Sequence, residues 1–195
     1  MATEINRIVL DLDDTLNSFT MHLLDRLGCG VGPFEYHKFP TECGYDIIGA
    51  WSTLTGRPRV EVPMFWEWVT QRMWADAPRS NQFWLLEAAA DFVGAENVLI
   101  ATVPTKSAGC LAGKYQWIEE HLPDWAQRQY SITPRKHWNA QPGTLLIDDS
   151  HSNCDKFVKC GGHSLIVPRP WNWAHKSHTS IYLSSTLGEF DFIKS

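Results

Sequence analysis

No two of the five cysteines (Cys29, Cys43, Cys110, Cys154, Cys160) stand in CxxC spacing, and their number is odd. A disulfide framework and a structural zinc site are therefore not expected, and reduced thiols in a cytosolic protein are. The eight histidines include no HxxxH or HExxH pair, which removes a histidine-built metal site. Basic charge is scarce: 17 Lys+Arg stand against 22 Asp+Glu, for a formal net charge of −5. Duplex nucleic acid, whose binding needs a basic face to release counterions, is excluded as a partner. Long apolar runs are missing as well. Val98 to Val103 is among the longest, far short of the ~20 residues that span a membrane. Thr3-Glu4-Ile5-Asn6-Arg7 is polar and runs straight into a strand-like segment, so no signal peptide is expected and the location is read as cytoplasmic. Repeats and low-complexity stretches are absent too.

What remains is 195 residues, 44% hydrophobic, with ten Trp. That is enough for one domain with a proper core and a modest insertion. Ile8-Val9-Leu10 is a β-branched run that stops at Asp11, as a buried parallel strand would. Val98-Leu99-Ile100-Ala101 ends at Thr102, Thr144-Leu145-Leu146-Ile147 ends at Asp148-Asp149, and Ser164-Leu165-Ile166-Val167 is closed by Pro168. Tyr130-Ser131-Ile132 is a weaker fifth. Helical patterns lie between them, over residues 85–93, 113–122 and 153–160, the last ended by Gly161-Gly162. The alternation predicts an α/β fold, a doubly wound parallel sheet. Residues 17–82 break it. They hold no obvious core strand, yet they carry Trp51, Trp66, Trp68 and Trp74 among Gly, Pro and mixed helical signals. The expected division is a core of residues 1–16 and 83–195 with a small, mainly helical cap, 17–82, inserted after the first strand.

The strand ends carry the chemistry, because α/β sheets bind ligands at their carboxyl edge. Asp11 and Asp13 fall on one side of an extended chain, with Leu12 turned to the core. Asp148 and Asp149 end another strand at the same edge. Carboxylates crowded there repel one another unless a cation sits among them, and hard oxygen donors without His or thiolate select Mg²⁺. A single such Asp is usually a solvated turn or cap residue; two acidic strand ends make that the weaker reading. Thr102 offers a hydroxyl and a backbone N–H for a phosphate oxygen, or is simply a strand terminator. Lys114 and Lys136 are either solvated charges or the counterions of a dianion. Together the set is what phosphoryl transfer needs.

The segments IVLDLDDTL, VLIATVP, Lys136 or Lys114, and TLLIDDSHSN resemble, in order, the four motifs of the haloacid dehalogenase superfamily. Within it the segments AGKYQWIEEHL, ITPRK, LLIDD and PWNWAH are most similar to the 5′(3′)-deoxyribonucleotidases, over residues 7–175 and least well in the cap. Such family members often carry Gly where this chain has Asp14. The resemblance implies a Rossmann-like core and a Mg²⁺-dependent phosphomonoesterase of (deoxy)nucleoside monophosphates. Asp11 would be the nucleophile that forms an aspartyl-phosphate, and Asp13 the acid and then the base. The metal would be held by the Asp11 carboxylate, the Asp13 carbonyl and Asp149, with Asp148 beside them or sharing it. Thr102, Lys136 and Lys114 would hold phosphate, the two lysines competing for the third-motif role. Phe19 sits where the family places an aromatic that stacks on the base, and it is equally readable as a packing residue. Trp66 and Tyr45 are further pocket candidates.

The partner implied is a small nucleotide, with a homodimer admitted on analogy alone. Two alternatives stay open. One is the same chemistry on a sugar phosphate or a polynucleotide phosphate end. The other is a catalytically silent nucleotide-binding module.

Overall fold

A computed structural model describes residues 3–194. Seven strands form among the described residues: β1 (Thr3–Ile5), β2 (Arg7–Leu10), β3 (Val98–Thr102), β4 (Tyr130–Ile132), β5 (Thr144–Asp148), β6 (His163–Ile166) and β7 (Phe190–Phe192). Helices α1 (Phe19–Arg26), α2 (Ile47–Thr55), α3 (Val62–Glu67) and α4 (Gln71–Ala75) lie in the inserted stretch. Helices α5 (Leu85–Val93), α6 (Cys110–His121), α7 (His151–Lys159) and α8 (Thr179–Leu187) belong to the alternating part.

The main sheet has the order β4-β3-β2-β5-β6, and every neighbouring pair is parallel. From β2 the chain adds β3 and β4 on one side, then returns to add β5 and β6 on the other. The carboxyl ends of β2, β3 and β5 therefore flank the point where the winding reverses, which is where such sheets open a crevice. Both faces are covered, which explains apolar runs in place of alternation. Ile8, Leu10, Val98, Ile100, Leu145 and Ile147 join the large core cluster. Val9, Ala101 and Leu146 face a smaller one closed by Phe157 of α7. The fold is the doubly wound α/β sheet that the alternation predicts.

Three elements fall outside the sequence reading. β1 pairs in parallel with β7 as a separate two-stranded sheet, and α8 precedes β7. Each strand of that pair is three residues long, too short for any period to show. Helix α6 starts at Cys110, ahead of the predicted 113, because Gly109 and Gly113 weaken the helical signal. Those glycines serve packing. A Cβ on Gly113 would lie 2.4 Å from Trp74 Cβ and 2.5 Å from the Gln71 carbonyl, and one on Gly109 would lie 2.4 Å from the Gln71 nitrogen. Only hydrogen at these two positions lets α6 cross α4 so closely, and the contact sets the height of Lys114. Helix α7 begins at His151, with the Ser150 side chain accepting from the Asn153 N–H at 3.4 Å.

The inserted stretch leaves and rejoins the core through two segments that pair with each other. Ser18 N–H donates to the Pro78 carbonyl (2.9 Å), and Ser80 N–H donates to the Leu16 carbonyl (2.8 Å). Its apolar residues do not form a separate core. Leu24, Ile48, Trp51, Phe65 and Trp74 belong to the same cluster as Ile8, Leu10 and Leu85. Among the described residues no helix is long and apolar enough to cross a membrane.

Candidate active site

At the end of β2 the backbone stays extended at Asp11 (φ −70°, ψ 155°) and Asp13 (φ −73°, ψ 130°). Leu12 between them is fully buried in the main core, so both carboxyl groups face away from it. Asp14 then takes a left-handed conformation, φ 59°, in which Asp is tolerated better than bulkier residues. Four hydrogen bonds hold it there. Its carboxylate accepts from Thr20 N–H (2.9 Å) and Thr20 Oγ1 (2.6 Å), its N–H donates to Asn17 Oδ1 (3.1 Å), and its carbonyl accepts from Arg169 Nε (2.7 Å). The extra acid in this motif thus closes a turn and anchors the first turn of α1. Burial raises its pKa to about 7, with the bonds from Thr20 opposing the rise.

The two candidate lysines go to different carboxylates. Lys136 Nζ lies 2.5 Å from Asp11 Oδ1 and 2.7 Å from Asp148 Oδ2, in a pocket where all three side chains are buried. Burial alone would lower the Lys136 pKa, but Asp11 and Asp148 outweigh it and hold the ammonium above its ordinary 10.5. Lys114 Nζ instead donates to Asp13 Oδ2, to Thr102 Oγ1 (2.6 Å) and to the Val103 carbonyl (2.7 Å). Thr102 Oγ1 passes its own hydrogen to Asp13 Oδ2 at 3.2 Å, and Asn17 Nδ2 donates to Asp13 Oδ1 at 3.2 Å.

Asp148 and Asp149 also separate. Asp148 is saturated: Oδ1 accepts from Ser150 N–H (2.7 Å), Oδ2 accepts from Lys136, and Asn153 Nδ2 reaches both oxygens (3.3 and 3.1 Å). Among the described residues Asp149 receives its side-chain donors on Oδ2 alone, from Tyr45 Oη and from Trp171 Nε1 at 2.6 Å. Asp11, Asp148 and Asp149 each offer a carboxylate oxygen, and these oxygens lie within 4.8 Å of one another. Burial, then Asp148, raises the Asp11 pKa well above 3.8; burial, then Asp14 and Asp148, raises that of Asp149 to about 8. These are carboxylates short of positive charge. A hard divalent cation such as Mg²⁺ supplies that charge and takes oxygen donors alone, so the residues fit it.

A cleft of about 350 Å³ opens over this edge. Asp11, Asp13, Phe19, Tyr45, Trp66, Lys136 and Asp149 line it, so these sequence candidates meet in one place. Thr102, Lys114 and Asp148 are fully buried and stand behind its wall, Thr102 and Lys114 touching Asp13 and Asp148 touching Lys136. Phe19 is only 5% exposed and lies flat on Trp74, with ring centroids 3.8 Å apart and 10° between planes. Trp66 continues the stack, 6.1 Å from Trp74. Asn17, Trp74, Asn153 and Trp171 complete the surroundings and were not singled out for the site from the sequence. Asn153 carries a readable signal, one turn into the helix that follows Asp148-Asp149. Trp171 stands in the quoted PWNWAH segment, but nothing there ties it to Asp149, 22 residues away.

The sequence matches no protein-family model, and no curated protein matches it. Solved structures do resemble the fold. A haloacid dehalogenase-like hydrolase from Bacteroides fragilis is 14% identical with a TM-score of 0.48, over 97% of this chain and 95% of that one. A phosphonoacetaldehyde hydrolase-like protein from Oleispira antarctica is 11% identical with a TM-score of 0.45, over 96% and 84%. A HAD family enzyme from Bacteroides thetaiotaomicron, in complex with magnesium and inorganic phosphate, is 13% identical with a TM-score of 0.37, over 88% and 98%.

Proposed function

We propose that the chain is a Mg²⁺-dependent phosphomonoesterase of the haloacid dehalogenase superfamily, acting on nucleoside monophosphates with deoxynucleotides preferred. One observation carries the reading: Asp11 and Asp13 face one cleft, each tied to its own lysine, with Asp149 beside Asp11.

An Asp11 oxygen attacks phosphorus while the bond from phosphorus to the nucleoside oxygen breaks, leaving an aspartyl-phosphate. Asp13 gives its proton to the departing oxygen. It then takes a proton from water, whose hydroxyl attacks phosphorus and releases phosphate and the Asp11 carboxylate. Lys136 opposes the rise of the Asp11 pKa and aims its carboxylate, and Asp148 and Asn153 fix Lys136 in turn. Thr102 and Lys114 hold the Asp13 carboxylate, and they are the donors that phosphate oxygens would compete for. Asp11, the Asp13 carbonyl and Asp149 would hold Mg²⁺, which neutralises phosphate charge. Asp148, already saturated, suits the support of Lys136 better than ligation. By the same contacts Lys136 takes the third-motif role and Lys114 the support of Asp13.

Trp74 covers one face of Phe19, so any base-binding surface is the Phe19–Trp74–Trp66 stack as a whole. Stacking of a base on such a surface contributes ~1–3 kcal/mol whatever the base. The test is phosphate release with Mg²⁺ from deoxyuridine and thymidine monophosphates, set beside a sugar phosphate and an aryl phosphate. Preference for the nucleotides is the expected result. Equal rates on all four would move the assignment to a general small-molecule phosphatase.

A further inference from the structure

The cap and the cation site share two side chains. Trp171, from the segment after β6, is ringed by aromatics of the inserted stretch. Phe39 meets it edge-on with centroids 5.0 Å apart, Tyr36 lies at 6.1 Å, and Tyr45 at 6.3 Å. Trp171 is itself 5% exposed, so its indole N–H needs a partner inside the protein, and that partner is Asp149 Oδ2 at 2.6 Å. Tyr45 Oη donates to the same oxygen. The Asn172 amide fixes the carboxylate's own backbone, donating to the Asp149 carbonyl at 2.9 Å and to the Val167 carbonyl at 2.8 Å. Both side-chain donors lie on one oxygen of Asp149, Oδ2, and among the described residues no side chain donates to Oδ1.

Tyr45 follows Gly44, whose left-handed turn (φ 52°) bends the chain between the helical turn Thr41–Cys43 and α2. Its ring meets His151 edge-on at 6.0 Å. A hydroxyl from the cap and an indole from the core thus converge on a single carboxylate oxygen. Undocking the 36–45 segment would remove the first donor and expose the second.

We propose that Tyr45 and Trp171 are positioning residues for Asp149, and that they couple docking of the cap segment around residues 36–45 to divalent-cation binding. This inference rests on the cation site of the proposed function. It deepens that reading, because both residues act on the cation through Asp149, Tyr45 doing so from the wall of the cleft itself. Outer partners of a ligating carboxylate fix its rotamer, and their removal costs about 10- to 100-fold in metal affinity. The coupling is reciprocal, so a bound cation must also hold the cap segment down.

The test titrates Mg²⁺ into chelator-stripped protein by calorimetry, without substrate. Tyr45→Phe keeps the ring contacts and removes only the hydroxyl. It is expected to weaken Mg²⁺ binding by about 10- to 100-fold, while Tyr115→Phe, an exposed ring on α6, leaves it unchanged. Trp171→Phe should weaken it likewise. If that variant fails to fold, Tyr45→Phe decides alone. Hydrogen exchange gives the second readout: Mg²⁺ should slow the amides of residues 36–46 in the wild type and not in Tyr45→Phe. Equal affinity in wild type and Tyr45→Phe overturns the inference. A wild type that binds no divalent cation overturns the proposed cation site and this inference together. A wild type that binds Mg²⁺ but hydrolyses no phosphomonoester overturns only the proposed activity, and a weakened Tyr45→Phe then still supports the coupling.

Discussion

Replacing glycine by alanine inside a helix ordinarily stabilises a protein by about 1 kcal/mol, because the backbone loses less freedom on folding. Gly113→Ala should do the opposite. The added methyl would sit 2.4 Å from Trp74 Cβ and 2.5 Å from the Gln71 carbonyl oxygen. Neither atom is the end of a flexible side chain, so α6 and α4 must move apart. Overpacking of this kind costs about 1–3 kcal/mol, and two contacts this short belong at the upper end. Set against the propensity gain, the net loss is about 1–2 kcal/mol, or roughly 2–8 °C in Tm for a chain of this length. Lys114 is the next residue, so the same displacement draws its ammonium from Asp13 and Thr102, and turnover should fall as well. Differential scanning calorimetry of Gly113→Ala measures the first effect. Ala112→Gly, on the exposed face of the same helix, calibrates the propensity term separately. A Tm for Gly113→Ala equal to or above that of the wild type would refute the close crossing of α4 and α6.

Two further expectations use the site and the cap. Asp11→Asn should abolish turnover and yet raise the Tm of the metal-free protein by about 2–4 °C, the shift that 1 kcal/mol produces at this size. It removes a buried charge that Asp148 and Asp149 oppose, while Lys136 keeps Asp148 as partner. A lower Tm would show that the Asp11–Lys136 pair outweighs that repulsion. His22 on α1 is buried, its Nε2 has no hydrogen-bond partner among the described residues, and its pKa lies below the ordinary 6.5 through burial, then Arg26, with Asp25 and Asp76 opposing. Below pH 6.5 the unfolded chain takes up a proton that the folded ring resists, so stability is present above that pH and is lost on acidification, by at most about 1.4 kcal/mol per pH unit. Denaturant unfolding of wild type and His22→Leu between pH 7 and about 5 isolates this effect from the carboxylates; parallel curves would refute it.

The sheet and the edge at which its acidic strands stop are legible in the sequence because they depend on short-range signals. A β-branched run ending in Asp reports both a buried parallel strand and the edge on which it stops, and Ile8 to Asp11 and Thr144 to Asp149 do this twice. The partition of the two lysines was not legible. Lys114 stands on the helix after β3 and Lys136 just ahead of the acidic strand β5, and sequence spacing does not choose between them. Packing separates them: Gly109 and Gly113 press α6 onto α4 and bring Lys114 to Asp13, while the turn Lys136–Asn139 brings Lys136 to Asp11.

The choice between Asp148 and Asp149 is harder still, since the residues are adjacent and chemically identical. What distinguishes them is the hydrogen-bond supply at each carboxylate. The donors to Asp148 are near it in sequence or already in play: Ser150, Asn153 and Lys136. Those to Asp149 come from Tyr45, 104 positions upstream, and from Trp171, 22 downstream. Such contacts leave no local trace, because nothing in the chain near Tyr45 depends on its hydroxyl. The surplus of Trp gains a physical meaning by the same route. Trp66 and Trp74 extend Phe19 into a stack along the cleft, and Trp171 joins cap aromatics to a carboxylate of the cation site. A large ring with one polar edge suits that position, since it fills the seam between cap and core and still delivers a donor to the chemistry.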